Sequence, residues 1–258
     1  MPRFAANLTM LFGEVPFLER FAAPRRAGFG AVEFVSPYEH PAAEVAAAAR
    51  DAGVEVALFN LPAGDWARGD RGMACDPARA AEFREGLARA LEYARALSCP
   101  CLHAMAGVRP EGVPGPELRA AYLAALRLAA RALAAEGKTL LVEGINSRDM
   151  PGYYLGTSRQ AFELMDEVGA PNLHYLYDVY HMQIMEGDLA PTIAARLPRI
   201  GHVQIADTPG RHEPGTGEIN YRFLLRHLDR IGYRGIVGCE YRPLGRTEDG
   251  LGWMREVA

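Results

Sequence analysis

The sequence predicts an α/β fold, a single-domain (β/α)8 TIM barrel, and three observations lead there. Short apolar runs alternate with amphipathic stretches from one end of the chain to the other, the pattern of repeated strand-helix units around a parallel sheet. Eight such units fit into the 258 residues, and at about 32 residues each they have the size of a barrel repeat. No break in composition and no linker divides the chain, so residues 1–258 are expected to form one barrel domain.

Taken in order, the strands are expected near residues 3–9, 31–35, 54–59, 100–105, 139–143, 173–178, 200–205 and 236–240. Helices fill the intervals. In residues 79–97, Phe83, Leu87, Ala90, Leu91 and Ala94 recur at helical spacing, while Glu82, Arg84, Glu85, Arg89 and Arg95 take the other face. Leu118, Tyr122, Leu126, Ala129 and Leu133 repeat the arrangement in the next helix. A local echo supports the repeat: Gly28-Phe29-Gly30-Ala31-Val32 and Gly232-Tyr233-Arg234-Gly235-Ile236 each end a helix with glycine and enter a strand, and Gly53-Val54-Glu55-Val56 is a weaker copy. The GxG of the first lies after a helix and before a strand. A dinucleotide phosphate loop needs the reverse order, so no nucleotide cofactor is expected. The longer connections, residues 60–78, 106–116, 144–156 and 206–219, follow strands 3, 4, 5 and 7. They fall on the C-terminal face, where barrel enzymes place their chemistry.

Bulk properties narrow the class further. A hydrophobic content of 49% lets the chain bury a sizeable core, and 28 basic against 32 acidic residues leave a net charge of −4 with no basic face for a phosphate backbone. Nucleic acid is therefore not an expected partner. Met1-Pro2-Arg3-Phe4 runs into the polar Asn7 and Thr9 before any stretch long enough for a signal peptide, and nothing later approaches a membrane span. The expectation is a soluble, cytoplasmic protein with no membrane partner, for which a homo-oligomer is compatible. Cys75, Cys99, Cys101 and Cys239 form no CxxC pair and read as reduced thiols.

Four successive strands end on an oxygen-bearing side chain that a packed core would not select: Glu143, Asp178, Gln204 and Glu240, on strands 5 to 8. Side chains alternate along a strand, so if these four point into the barrel mouth they converge, with Leu141, Leu176, His202 and Gly238 in the layer beneath. Three carboxylates repel one another in a semi-enclosed mouth unless protons or a cation neutralise them. One divalent cation is the economical answer, and four hard oxygen donors suit Mg²⁺ or Mn²⁺ better than zinc or copper. The plainer alternative is that each acid caps the following helix or pairs with an arginine. His181, three residues after Asp178, and Arg211, in the loop after Gln204, can reach the same mouth. Arg211 offers a planar fork for a substrate carboxylate and His181 a donor for a carbonyl or alkoxide oxygen. Asn60, His103 and Glu33 have equally good structural roles in turns and buried pairs and are left outside the expected site.

These residues sit in familiar company. Phe4-Ala5-Ala6-Asn7-Leu8, Asn146-Ser147-Arg148-Asp149-Met150-Pro151-Gly152-Tyr153, Asp178-Val179-Tyr180-His181-Met182-Gln183, His202-Val203-Gln204-Ile205-Ala206-Asp207, Gly217-Glu218-Ile219-Asn220-Tyr221 and Gly238-Cys239-Glu240-Tyr241 resemble the hydroxypyruvate isomerase family, within the xylose-isomerase-like TIM barrels. The likeness spans nearly the whole chain and is more specific in its second half. It implies that Glu143, Asp178, Gln204 and Glu240 are metal ligands and that Glu143 and Glu240 are also the proton-transferring pair. One position departs: many members carry proline after the strand-5 glutamate, and this chain carries Gly144, which frees the backbone there. The implied activity is that of a metal-dependent aldose-ketose type isomerase, which interconverts hydroxypyruvate and 2-hydroxy-3-oxopropanoate (tartronate semialdehyde) through an enediolate. A small hydroxy-oxo acid is then the substrate. A 2-oxo-tetronate isomerase or a ketose epimerase on the same site, or a non-catalytic sugar-acid binding protein, are the competing expectations.

Overall fold

The computed structural model describes residues 3–256; residues 1, 2, 257 and 258 of the expected domain lie outside the described residues. Eight parallel strands close into a barrel in sequence order. They are β1 (Arg3–Asn7), β2 (Ala31–Phe34), β3 (Glu55–Asn60), β4 (Cys101–His103), β5 (Thr139–Glu143), β6 (Leu173–Asp178), β7 (Ile200–Ile205) and β8 (Ile236–Cys239). Around them run α1 (Ala22–Arg26), α2 (Ala42–Ala52), α3 (Ala80–Ala96), α4 (Gly115–Ala134), α5 (Ser158–Val168), α6 (Val179–Met185), α7 (Leu189–Arg196), α8 (Tyr221–Arg230) and the short α9 (Trp253–Glu256). None of the described helices is long and apolar enough to cross a membrane. The four cysteines are all free.

The expected helix faces are the buried ones. Phe83, Leu87, Ala90 and Ala94 of α3 are buried and joined by Tyr93, while Leu91 is half-buried against the core, and all five named positions of α4 are buried. Gly28, Gly53 and Gly232 take φ of 95°, 67° and 86°, left-handed values that let the chain leave a helix and turn into the next strand without a Cβ clash.

Four strands are shorter than the sequence suggests, β2 and β8 by one residue each and β1 and β4 by more. β1 stops at Asn7 because the Asn7 carbonyl accepts from Met10 and Leu11 N–H, which turns the chain. β4 stops at His103; one more ladder bond joins Ala104 N–H to Leu141, and then Ala106 bridges Gly72 in the loop after β3, drawing the chain off the barrel wall.

Inside the barrel, period-2 alternation puts Ala5 with Asn7, Ala31 with Glu33, and Ile236 with Gly238 and Glu240. Ala5, Ala31 and Ala57 form one small cluster with Ile236 packed on it, and Leu58, Leu141 and Leu176 form another. These apolar side chains fill the lower barrel, and the polar ones stand above them at the C-terminal ends of the strands.

Candidate functional site

Asp178 ends β6 and α6 begins at the next residue, so its carboxylate has two duties. Oδ1 accepts from Tyr180 and His181 N–H and caps the helix. Oδ2 is buried and has no hydrogen-bond partner among the described residues. Both readings of a strand-end acid, cap and site residue, are thus divided between two oxygens of one group. Glu143, at the end of β5, presents an equally unpartnered buried Oε1. His181 Nε2 lies 3.7 Å from that Oε1 and 3.6 Å from Asp178 Oδ2.

Glu240 follows β8, and its backbone N–H extends the ladder to Ile205. Its Oε2 lies 2.7 Å from Arg211 Nη2, and the same nitrogen stands 3.7 Å from Asp178 Oδ2. Arg211 reaches inward from the loop after β7, where its carbonyl accepts from Arg242 N–H and Asp207 accepts from the N–H groups of Gly215, Gly217 and Ile219. Its guanidinium is buried, packs over the Tyr180 ring at 5.1 Å and leaves Nε without a partner among the described residues.

The proton on His181 can be placed by following its neighbours. Asn146 Oδ1 accepts from Arg148 and Asp149 N–H, which leaves its Nδ2 to donate to His181 Nδ1 at 2.6 Å. Nδ1 is therefore an acceptor, and the ring carries its proton on Nε2, facing the carboxylates. Burial first, and then the Arg211 charge, hold the His181 pKa well below its ordinary value, so the ring is neutral. His103, at the end of β4, puts Nε2 3.7 Å from Glu143 Oε2 and Nδ1 3.2 Å from Asn60 Oδ1. Burial pushes its pKa down to about 3, with a smaller contribution from His202.

A second polar layer lies beneath. Glu33 on β2 accepts from His202 Nε2 and Gln204 Nε2, each at 2.7 Å, and from Asn7 Nδ2 at 3.1 Å. The Asn7 amide also reaches Glu240 Oε1 at 3.2 Å. Gln204 is thus brought to the site through Glu33, and Glu240 through Arg211 and Asn7, while Glu143, Asp178 and His181 meet directly.

Asn7, Glu33, Asn60, His103 and Asn146 are site neighbours that lie outside the expected site. A usable signal existed for Glu33, a charged residue in the middle of the apolar run Ala31-Val32-Glu33-Phe34-Val35. Asn60 and His103, which end β3 and β4, carry the same strand-end signal as the four chosen residues.

The electrostatics favour a cation. Burial, and then the charges of Asp178 and Glu240, raise the Glu143 pKa well above the usual carboxylate range. Burial outweighs the nearby Arg211 to push Glu240 up to about 8 and Asp178 up to about 6. Glu143, Asp178 and His181 each offer one ligand atom within 4.8 Å of the others. Two orphaned buried carboxylate oxygens in such a cluster are what a hard divalent ion satisfies, so the residues present fit one.

Comparison with known proteins agrees with the fold. A family described as xylose isomerase-like TIM barrel matches residues 21–257. The 2-oxo-tetronate isomerase of Cupriavidus necator is 50% identical over 255 residues, covering 99% of this chain and 98% of that one. The hydroxypyruvate isomerase of Escherichia coli K12 is 48% identical over 254 residues and 98% of each chain. Among solved structures, a Brucella melitensis protein described as an AP endonuclease, family 2, matches with a TM-score of 0.97 at 48% identity over 99% of both chains.

Proposed function

The chain belongs to the hydroxypyruvate isomerase family, within the xylose isomerase-like TIM barrels, and we propose that this isomerase interconverts hydroxypyruvate and 2-hydroxy-3-oxopropanoate through an enediolate. The observation that carries the reading is one cluster in the barrel mouth. There Glu143 of β5 and Glu240 after β8 are linked through Asp178, His181 and Arg211 by contacts of 2.7 to 3.7 Å.

The divalent cation, Mg²⁺ or Mn²⁺, would be held by Glu143, Asp178, Gln204 and Glu240, and when bound it neutralises the carboxylates and acts as a Lewis acid on the substrate's carbonyl oxygen. Hydroxypyruvate loses a proton from its hydroxymethyl carbon and regains one at the former carbonyl carbon. The hydroxyl proton leaves one oxygen and a proton arrives on the other. Glu143 and Glu240 carry the carbon-bound protons. Arg211 supplies its unpartnered Nε and a fixed positive charge for the substrate carboxylate. His181, neutral and protonated on Nε2, donates to the reacting oxygen without drawing off charge as an imidazolium would.

A second reading has a specific observation behind it. The Cupriavidus necator relative, at 50% identity, is named for a four-carbon 2-oxo-tetronate, whose isomerisation needs the same groups. Nuclease chemistry, the description given to the Brucella relative, is less well served: the carboxylates meet two histidines, His103 and His181, and the chain has a net charge of −4.

The experiment follows exchange of carbon-bound hydrogen into D₂O, with product analysis, for hydroxypyruvate and 2-oxo-tetronates, each with Mn²⁺ and with chelator. Metal-dependent exchange and turnover of hydroxypyruvate is the expected result. Turnover of the four-carbon acid alone transfers the assignment to the second reading. Binding without exchange of either would make the protein a sugar-acid binder.

A further inference from the structure

One fully buried carboxylate has no part in the chemistry above. Glu33 stands in the barrel interior under the mouth, where the absence of a side chain on Gly238 leaves it room: a Cβ there would fall 2.3 Å from Glu33 Oε2. A carboxylate is costly to bury and adds little stability over an apolar group of the same volume even when it is well paired. Its presence there therefore calls for a role other than packing.

Its hydrogen bonds show what it controls. A carboxylate only accepts. By taking Gln204 Nε2 at 2.7 Å, Glu33 decides which prong of that amide faces down, and the other prong, the carbonyl oxygen, is directed away from it. Asn7 is settled in the same way: its Oδ1 accepts from Thr9 N–H, so its amide nitrogen is the end that bridges Glu33 Oε1 and Glu240 Oε1, at 3.1 and 3.2 Å. His202 Nε2 completes the set at 2.7 Å. Without Glu33 nothing among these contacts distinguishes the oxygen of Gln204 from its nitrogen, and an amide nitrogen is no ligand for a hard cation.

We propose that Glu33 is a positioning residue that fixes the flip of the Gln204 amide, so that Gln204 offers its oxygen to the divalent cation, and that steadies Glu240 through Asn7. The inference rests on the reading of Gln204 as a ligand given above.

The test is Mn²⁺ binding, followed by the EPR signal of free Mn²⁺ in a double-mutant cycle on Glu33→Gln and Gln204→Ala. Glu33→Gln has the same length but offers Gln204 an N–H as well as an oxygen, so the flip is no longer set. Loss of an orienting partner of a ligand typically weakens metal binding about 10- to 100-fold, and that loss is expected in the wild-type background. In the Gln204→Ala background there is no amide to orient, so the same change should weaken binding further by no more than about 3-fold, the remainder acting through Asn7 and Glu240. Should Glu33→Gln not fold, the cycle is run from Glu33→Asp, which lengthens the bond to Gln204, with the same criterion. Equal effects in both backgrounds assign Glu33 to general scaffolding and overturn the proposal, as does wild-type affinity in Glu33→Gln. If Gln204→Ala weakens Mn²⁺ binding and Glu33→Gln does not, only this proposal fails. If the wild-type chain binds no stoichiometric Mn²⁺, the metal reading fails and takes the proposal with it.

Discussion

Replacing Gly238 with alanine adds one methyl group where the barrel interior has no space for it. The new Cβ would stand 2.3 Å from Glu33 Oε2 and 2.4 Å from Oε1, against roughly 3.5 Å for an unstrained contact, so the carboxylate must retreat by about 1 Å. Such a shift carries the two 2.7 Å bonds from His202 and Gln204 out of normal hydrogen-bond range. Bonds to a charged group contribute about 1.5–3 kcal/mol each, or roughly 3–6 kcal/mol for the pair. The lower conformational entropy of unfolded alanine offsets about 0.5–1 kcal/mol. Gly238→Ala should therefore lose about 2–5 kcal/mol. At about 2–4 °C per kcal/mol for a domain of this size, this lowers Tm by on the order of 10 °C. Thermal and urea melts of the metal-free protein measure it. Shortening the displaced group should relieve the clash, so Gly238→Ala/Glu33→Asp is expected to melt above Gly238→Ala alone. A fall in Tm of less than about 3 °C would refute the reasoning, because it would mean that the Glu33 carboxylate is free to move.

Glu143→Gln and Glu240→Gln keep shape and an oxygen donor while removing the base, so turnover at saturating Mn²⁺ should drop by about 10² to 10⁴ in each. A variant that fills its metal site and still exchanges substrate hydrogen at the wild-type rate demotes that residue to ligand. Arg211→Lys keeps the charge but loses the fork and the Nε donor, so KM should rise about 10-fold or more with a smaller change in kcat; an unchanged KM removes Arg211 from substrate recognition. The raised pKa values of Glu143, Asp178 and Glu240 mean that the folded metal-free chain binds more protons than the unfolded chain, whose carboxylates titrate near about 4. Stability without metal should then be full below about pH 4 as far as these groups are concerned, and should decline as pH rises through about 6 and about 8, the Asp178 and Glu240 values. Mn²⁺ should stabilise more at pH 8.5 than at pH 5.5, and melting curves in which that increment is equal or reversed would contradict the burial of three coupled acids.

The sequence by itself determined the barrel. A parallel strand buried on both faces must be a short apolar run, its crossover helix must be amphipathic, and eight such units leave the closed barrel as the natural arrangement. It also determined that four strand ends carry oxygen donors, because a strand's direction and period place Glu143, Asp178, Gln204 and Glu240 on the C-terminal rim once the strands are recognised. What only the tertiary structure decided is which atoms of those groups are free. That Asp178 gives Oδ1 to a helix cap and leaves Oδ2 bare, that Arg211 lies against Glu240, and that Asn146 sets the His181 tautomer all depend on contacts between residues from different strands and loops. Glu33 shows the limit most clearly. On its own strand it is a single acid among apolar neighbours, and its partners Asn7, His202 and Gln204 lie 26, 169 and 171 positions away in the chain. Periodicity along a strand says which face a side chain takes, but a hydrogen bond is made across space, and only the closing of the barrel brings those four residues within its range.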